Sequence, residues 1–494
     1  MANPAITRRM LLARARAGIL GTAAVGLLAA CGAGAAVSTG TAATSVATST
    51  AASSAAPVTT AATSAAPTTV AAATTTSAAA APASHANAVD FWQWGSGYVP
   101  GFDTLVKSYI KGQPKEQVVA ANPSDYWNKV VTTLASGTGP DVFLMNNVNF
   151  KQYAKNGNVA DLGSYANADK TATANLKATL AAAQDWYHYQ GKLMGVPWDY
   201  STGIIVYNLD QFQAVGLPPA AGLGKQWDWE TLRTYATKLT QKTGPAITRS
   251  GLWIGNGLEN GWYTFAVANG ASFFNKDLSQ CTIASEEAIA GLEFVLNMLK
   301  DGVSATTTFM DTANKAVTGQ ATVFTNGATA MQLVGDWNIT TYEKTKSINW
   351  DATIFPYATT TGKTANTSNL RGLVLNPESK KKDSTWAWMA YLLTPEVQNQ
   401  IPTLFGEVPA NNTSATDYYF NPDKGGPPAG RKTLSPDLEA TTPLPASDLV
   451  SWTNISSTAG KEVGTAFDLK VPAADALKKV QDTINGMIAA SKGA

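Results

Sequence analysis

The sequence predicts an α/β fold, on three observations. Short, bounded apolar runs have strand character. Segments between them space their apolar residues as one-faced helices do, and the two kinds alternate along the chain. The run AVDFWQW, beginning at Ala88, is the first expected strand. WNKVVTTLASG then places Trp127, Val130, Val131 and Leu134 at i, i+3, i+4 and i+7, a helix stopped by Gly137. GPDVFLM and TGIIVYN follow as strands, the second continuously apolar, as in a sheet covered on both faces. SEEAIAGLEFVLNMLKDG carries helix signals at both ends. Ser285 is the N-cap, Glu286 and Glu287 sit in the first turn, Lys300 is near the end and Gly302 follows. Finally, Pro472 opens a helix with Leu477, Val480, Ile484 and Met487 on one face. No internal repeat is found.

With 494 residues and about 150 per domain, the chain has room for two or three domains. An apolar fraction of 45% is enough for an ordinary core. Charge is nearly balanced, with 36 Lys and Arg against 35 Asp and Glu, which argues against a nucleic-acid partner. The only histidines are His85 and His188. The motifs H-E-x-x-H, C-x-x-C, G-x-x-x-x-G-K-[ST] and G-x-S-x-G are all absent, so a zinc hydrolase or a triad enzyme has no visible parts. No metal, no cofactor and no catalytic residue is expected. GNGLENG, from Gly255 to Gly261, has the wrong spacing for a dinucleotide loop, and Tyr418-Tyr419 reads as a surface loop.

The N-terminal region reads as a targeting segment. Arg8, Arg9, Arg14 and Arg16 precede an uncharged stretch from Ala17 to Ala30, too short to span a bilayer. Thr7-Arg8-Arg9-Met10-Leu11-Leu12 resembles a twin-arginine export motif; the alternative is that Arg8 and Arg9 are the basic head of a general secretory signal. Leu28-Ala29-Ala30-Cys31 resembles a bacterial lipobox. Cys31 would then be the first mature residue, acylated through diacylglycerol and palmitate chains and anchored on the outer face of the membrane. Cys281 is left as a small buried hydrophobe. From Gly32 to Ala86 there is no Asp, Glu, Lys, Arg or aromatic residue. Such a segment cannot offset chain entropy and reads as a disordered tether reaching roughly 40 Å r.m.s.. The organisation expected is a signal at 1–30 and a lipidated linker at 31–87.

All 14 tryptophans lie between Trp92 and Trp452. Several sit beside Gly, Pro, Asn or Asp at expected strand ends: Trp94-Gly95-Ser96, Pro197-Trp198-Asp199, Asn260-Gly261-Trp262 and Gly335-Asp336-Trp337. For any one Trp, core packing is the bland alternative. As a group they fit a site at the carboxyl ends of strands, where an indole offers an apolar face to a sugar ring and neighbouring Asp and Asn take its hydroxyls.

These residues carry a resemblance. ASGTGPDVFLMNN, NGNVADL, YHYQGKLMGVPWDYSTGIIVYNLDQFQAVGL, WDWETLRTYATKL, NGATAMQLVGDWN, LVLNPESKKKDSTWAWMAYLLTPEVQNQ and GEVPANN occur in order across residues 88–494. In them the chain resembles extracellular solute-binding proteins of family 1, the group containing maltose-binding protein. The resemblance implies a two-lobed, type II periplasmic-binding-protein-like fold with a ligand cleft. It implies a non-enzymatic, extracytoplasmic, monomeric receptor that delivers a sugar or oligosaccharide to ABC permease subunits. The chain would first cross between lobes near Pro197–Gly203 and return near Arg371–Leu375, so that lobe one comprises 88–198 with 376–440 and lobe two 199–375 with 441–494.

The resemblance also implies site residues. Trp94 and Ser96 follow the first strand, Asn146 and Asn147 follow PDVF, and Trp198, Asp199 and Tyr200 follow GVP. Trp337 matches a Trp that stacks on sugar, with Asp336 beside it or capping local backbone. Asn260 and Trp262 face the cleft unless Trp262 is a core residue. Trp452 aligns with a C-terminal stacking position, and Arg371 and Glu407 are further candidates. The segment after PDVF lacks the aromatic and charged pair of maltodextrin binders, which points away from maltose itself. Two other readings stay open: a phosphorylated polyol as the solute, and a glycoside hydrolase using Asp199 and Asp336.

Overall fold

The computed structural model describes residues 85–305, 320–426, 428–434 and 441–493. The expected signal, Cys31 and the linker up to residue 84 lie outside the described residues. The apolar runs form strands β1 (Val89–Trp92), β2 (Val118–Ala121), β3 (Val142–Asn146), β4 (Val196–Tyr200), β5 (Gly203–Asn208), β6 (Met331–Gly335) and β7 (Trp350–Thr353). Short strands β8 (Asn366–Ser368), β9 (Leu370–Leu375), β10 (Val408–Pro409) and β11 (Thr441–Pro443) follow. The larger sheet has the order β10-β4-β9-β3-β1-β2. Within it β1 runs parallel to β2 and β3, whereas β9 is antiparallel to β3 and β4. The smaller sheet, β6-β5-β7, is antiparallel throughout. Every residue of β5 is buried, as continuous apolarity predicts for a strand covered on both faces.

The chain passes from the larger to the smaller sheet through Ser201–Thr202 and returns through Asn369. These crossings lie side by side, with Ser201 N donating to Asn369 O at 3.0 Å. A later segment departs from the expected boundary at residue 440. Ala429–Thr433 leaves the larger sheet and seats on β7, where Gly430 N donates to Asp351 Oδ1 at 2.6 Å.

Helices α1 (Val99–Gly112), α2 (Tyr126–Ala135), α3 (Asn147–Lys155), α4 (Trp229–Leu239), α5 (Trp262–Ala268) and α6 (Glu286–Lys300) cover the sheets. They are joined by α7 (Lys382–Leu392), α8 (Trp452–Phe467) and α9 (Ala473–Lys492). Helix α6 starts where the sequence predicts, the Ser285 side chain accepting from Ala288 N. Helix α9 follows Pro472 and buries Leu477, Val480 and Ile484; Ile488 takes the buried place expected of Met487. In α2 the buried face is Tyr126, Val130 and Thr133, and Val131 is 50% exposed. Tyr126 sets that rotation: its hydroxyl donates to Leu144 O at 2.7 Å, beneath β3. Trp127 is thereby turned out of the core towards Trp94, with ring centroids 5.3 Å apart. Among the described residues no helix is long and apolar enough to cross a membrane.

Candidate ligand-binding site

The strand pairing that joins β4 to β9 sets Asp199 opposite Arg371. The Arg371 guanidinium grips this carboxylate at two points, Nε to Oδ1 at 2.7 Å and Nη2 to Oδ2 at 2.6 Å. The same Nη2 lies 2.9 Å from Oε1 of Glu407, the residue before β10. Tyr98 ends the tight turn Ser96–Tyr98 after β1. Its hydroxyl donates to Glu407 Oε1 at 2.7 Å and accepts from Arg371, whose guanidinium carbon stands 4.7 Å from the Tyr98 ring centre. One cation thus faces two carboxylates, all three buried. Burial pushes the Asp199 carboxyl up to about 7; Arg371 pulls against that rise and Glu407 adds to it. Arg371 is charged and its charge is already answered, so it contributes a fixed hydrogen-bonding edge rather than an open anion site.

On the smaller sheet, β6 ends at Gly335 and the chain tightens into the turn Asp336–Asn338. The Trp337 ring folds back over Gly335 so closely that a Cβ there would lie 2.0 Å from a ring carbon. Only glycine leaves room for that ring position. Asp336 is fully buried. One of its oxygens accepts from Thr202 N at 3.1 Å and the other from Tyr419 OH at 2.8 Å. Burial and the Glu407 charge raise its carboxyl well above the usual range. Asp336 is therefore a long-range tie between β6 and the crossing segment, rather than a cap on local backbone. Tyr419, expected on a surface loop, is buried because it completes this tie.

Between these groups lies a cavity of about 260 Å³, lined by Trp94, Tyr98, Trp127, Asn146, Ser201, Glu259, Trp337, Asn369 and Arg371. The three tryptophans are half-buried, whereas Trp198, Trp227, Trp262 and Trp388 are buried completely. Asn369 donates to Glu259 Oε1. Burial pushes the Glu259 carboxyl up to about 7, with Asn369 and Arg371 holding it down and Glu407 adding to the rise. Among the described residues no cluster of His, Cys, Asp and Glu is arranged to hold a metal.

Of the residues anticipated from sequence, Trp94, Asn146, Trp337 and Arg371 line this cavity. Asn146 also caps α3, its side chain accepting from Asn149 N at 3.2 Å. Asp199 and Glu407 stand behind Arg371. Ser96 is exposed on the turn that carries Tyr98 inward. Trp198 lies in the interior, wedged between Phe102 and Phe405 at 5.6 and 5.7 Å, and Tyr200 is buried on the same strand. Trp262 is fully buried at the start of α5, its core alternative, with Asn260 beside it in a left-handed turn. Trp452 opens α8 behind its Ser451 cap and does not line the cavity. Asn147 points elsewhere, its Oδ1 accepting from Leu370 N at 3.1 Å. Tyr98, Trp127, Ser201, Glu259 and Asn369 were not anticipated. Asn369 had a readable signal, since it sits two residues before Arg371 on extended chain, where side chains two apart share a face.

Comparison with known proteins shows the family and the fold. Residues 111–424 match the family described as bacterial extracellular solute-binding protein. A maltotriose-binding protein of Pyrococcus abyssi is 22% identical over 314 residues, 62% of this chain and 63% of the relative. An ABC substrate-binding protein from Listeria monocytogenes, solved in complex with cycloalternan, superposes with a TM-score of 0.68. It is 25% identical, and the match covers 81% of this chain and 98% of that one. The sugar-binding protein MalE of Xanthomonas citri gives a TM-score of 0.68 at 19% identity, covering 82% and 98%. The two-lobed type II periplasmic-binding-protein fold expected from sequence is the fold shared with these structures.

Proposed function

We propose that this chain, which belongs to the bacterial extracellular solute-binding proteins, captures a neutral sugar or oligosaccharide for an ABC importer. The observation that carries the reading is the cavity in which half-buried Trp94, Trp127 and Trp337 meet Asn146, Glu259, Asn369 and Arg371. Indole faces match the apolar C–H faces of a pyranose, and the amides and charged groups match its hydroxyls. Walls from both sheets, meeting at the crossings Ser201–Thr202 and Asn369, favour closure of two lobes onto the ligand. Only the closed arrangement makes both sets of contacts.

The phosphorylated-polyol reading is weaker, because Arg371 is already matched by Asp199 and Glu407. The glycosidase reading is weaker as well: Asp199 and Asp336 are buried, each with both oxygens engaged, and neither lines the cavity. We further propose that Cys31 is acylated and tethers a monomeric receptor outside the membrane, where it docks on permease subunits. Titration calorimetry against maltotriose, other neutral oligosaccharides and monosaccharides tests the reading. Saturable binding of at least one sugar, weakened at least tenfold in Trp337→Ala, is expected; heat-silent titrations across the panel would overturn it.

A further inference from the structure

A second cavity, of about 200 Å³, shares no lining residue with the first. Its walls include Asn147 and Lys151 on α3, Tyr263 on α5, Phe273 and Phe274 beyond it, and Leu444 after β11. Its position follows from chain geometry. Asn369 and Arg371 face the ring-lined cavity, and Leu370 between them turns to the opposite side of the extended chain. The amide of Leu370 binds the Asn147 side chain, which lines the second cavity. The two cavities therefore flank the crossing strand.

We propose that this second cavity is a binding site for a small neutral aromatic molecule carrying one hydrogen-bond acceptor. The walls are largely apolar, and a cavity of about 150 Å³ lined by apolar side chains suffices to hold benzene. The acceptor is called for by Asn147. This residue is 4% exposed, its Oδ1 is taken by Leu370, and its Nδ2 has no partner among the described residues. A buried amide N–H left unpaired is costly, and a ligand carbonyl satisfies it. Because the walls come from helices on both sides of the crossing strand, an occupant favours one lobe arrangement over others.

The test uses the full chain and 4-fluorobenzamide, followed by ¹⁹F NMR with no sugar present, so its outcome is separate from that of the sugar reading. Saturable broadening is expected, with a dissociation constant on the order of 1 mM. Ala446→Phe and, independently, Ser272→Trp fill the cavity from two walls and should weaken binding at least about tenfold while the circular dichroism is retained. Fluorobenzene, which lacks the acceptor, should bind several-fold more weakly. The radius of gyration should change on saturation with the amide. No saturable binding, or binding untouched by both filling variants in folded protein, would overturn the site. Equal affinity for the two probes would overturn the role of Asn147, and unchanged scattering with the probe bound would overturn the link to lobe arrangement.

Discussion

Arg371 and Asp199 face each other across β9 and β4 in a two-point ion pair, both buried. Such a pair is weak evidence of net stabilisation, but breaking one side leaves an uncompensated buried charge. Arg371→Met leaves the buried Asp199 and Glu407 facing each other with no cation between them. The expected cost is about 3–5 kcal/mol, read from the midpoint of urea unfolding at neutral pH. A change below about 1 kcal/mol would mean that the pair is solvated in solution.

Trp337 is the only cavity-lining Trp anticipated on the smaller sheet, and its ring position depends on Gly335. Trp337→Ala should weaken sugar binding at least tenfold, about 1.4 kcal/mol. Gly335→Ala tests the same ring from below. The added Cβ has no room beneath the indole, so the ring must move, and affinity should fall although no ligand contact has been deleted. Calorimetry on the two variants checks both; unchanged affinity in Gly335→Ala would show that the ring adapts.

Glu259 links the cavity to pH. Its carboxyl is raised from the ordinary 4.5 to about 7 by burial, so the folded protein keeps a proton that the unfolded chain gives up. This group's contribution to stability is therefore fully present below about pH 4.5 and is lost as pH rises towards 7. Thermal midpoints measured from pH 4.5 to 7.5 should show this fall in the wild type and a flatter profile in Glu259→Gln. Parallel profiles would place the titration elsewhere.

The elements of the fold were legible where one physical signal dominated. Ser285 and Gly302 bracket α6 because cap chemistry is local, and β5 reads as a covered strand because every residue in it is buried. Side-chain direction near the site was less legible. Trp198 and Trp337 have similar sequence neighbours, yet one packs between Phe102 and Phe405 and the other roofs Gly335. What separates them is the tertiary partner, which local sequence does not carry. Trp127 reads as a core-face residue from the apolar spacing alone, and the bond of its neighbour Tyr126 to Leu144 O, which sets the rotation of α2, is not visible in that spacing. Glu259 lies in the glycine-rich stretch Gly255–Gly261, where the sequence points to the neighbouring Asn260 and carries no mark that singles out the glutamate.

Cys281 provides a final prediction that reaches the N-terminal proposal. It is 1% exposed, and burial pushes its thiol up to about 12. Its backbone is held from both sides by Asn485 of α9, which accepts from Cys281 N at 2.7 Å and donates to Cys281 O at 3.1 Å. A thiol that is neither ionised nor accessible does not react, so native protein should resist iodoacetamide at neutral pH. Asn485→Ala removes two bonds that fasten α9 to this strand-like segment and should speed labelling by favouring local opening. The chain has two cysteines. Unfolded in denaturant, protein from the membrane fraction should show one reactive thiol, because diacylglyceryl transfer turns the Cys31 sulfur into a thioether. A cytoplasmically retained precursor should show two. Two reactive thiols in the membrane-derived form would leave Cys31 unmodified and the tether without its anchor.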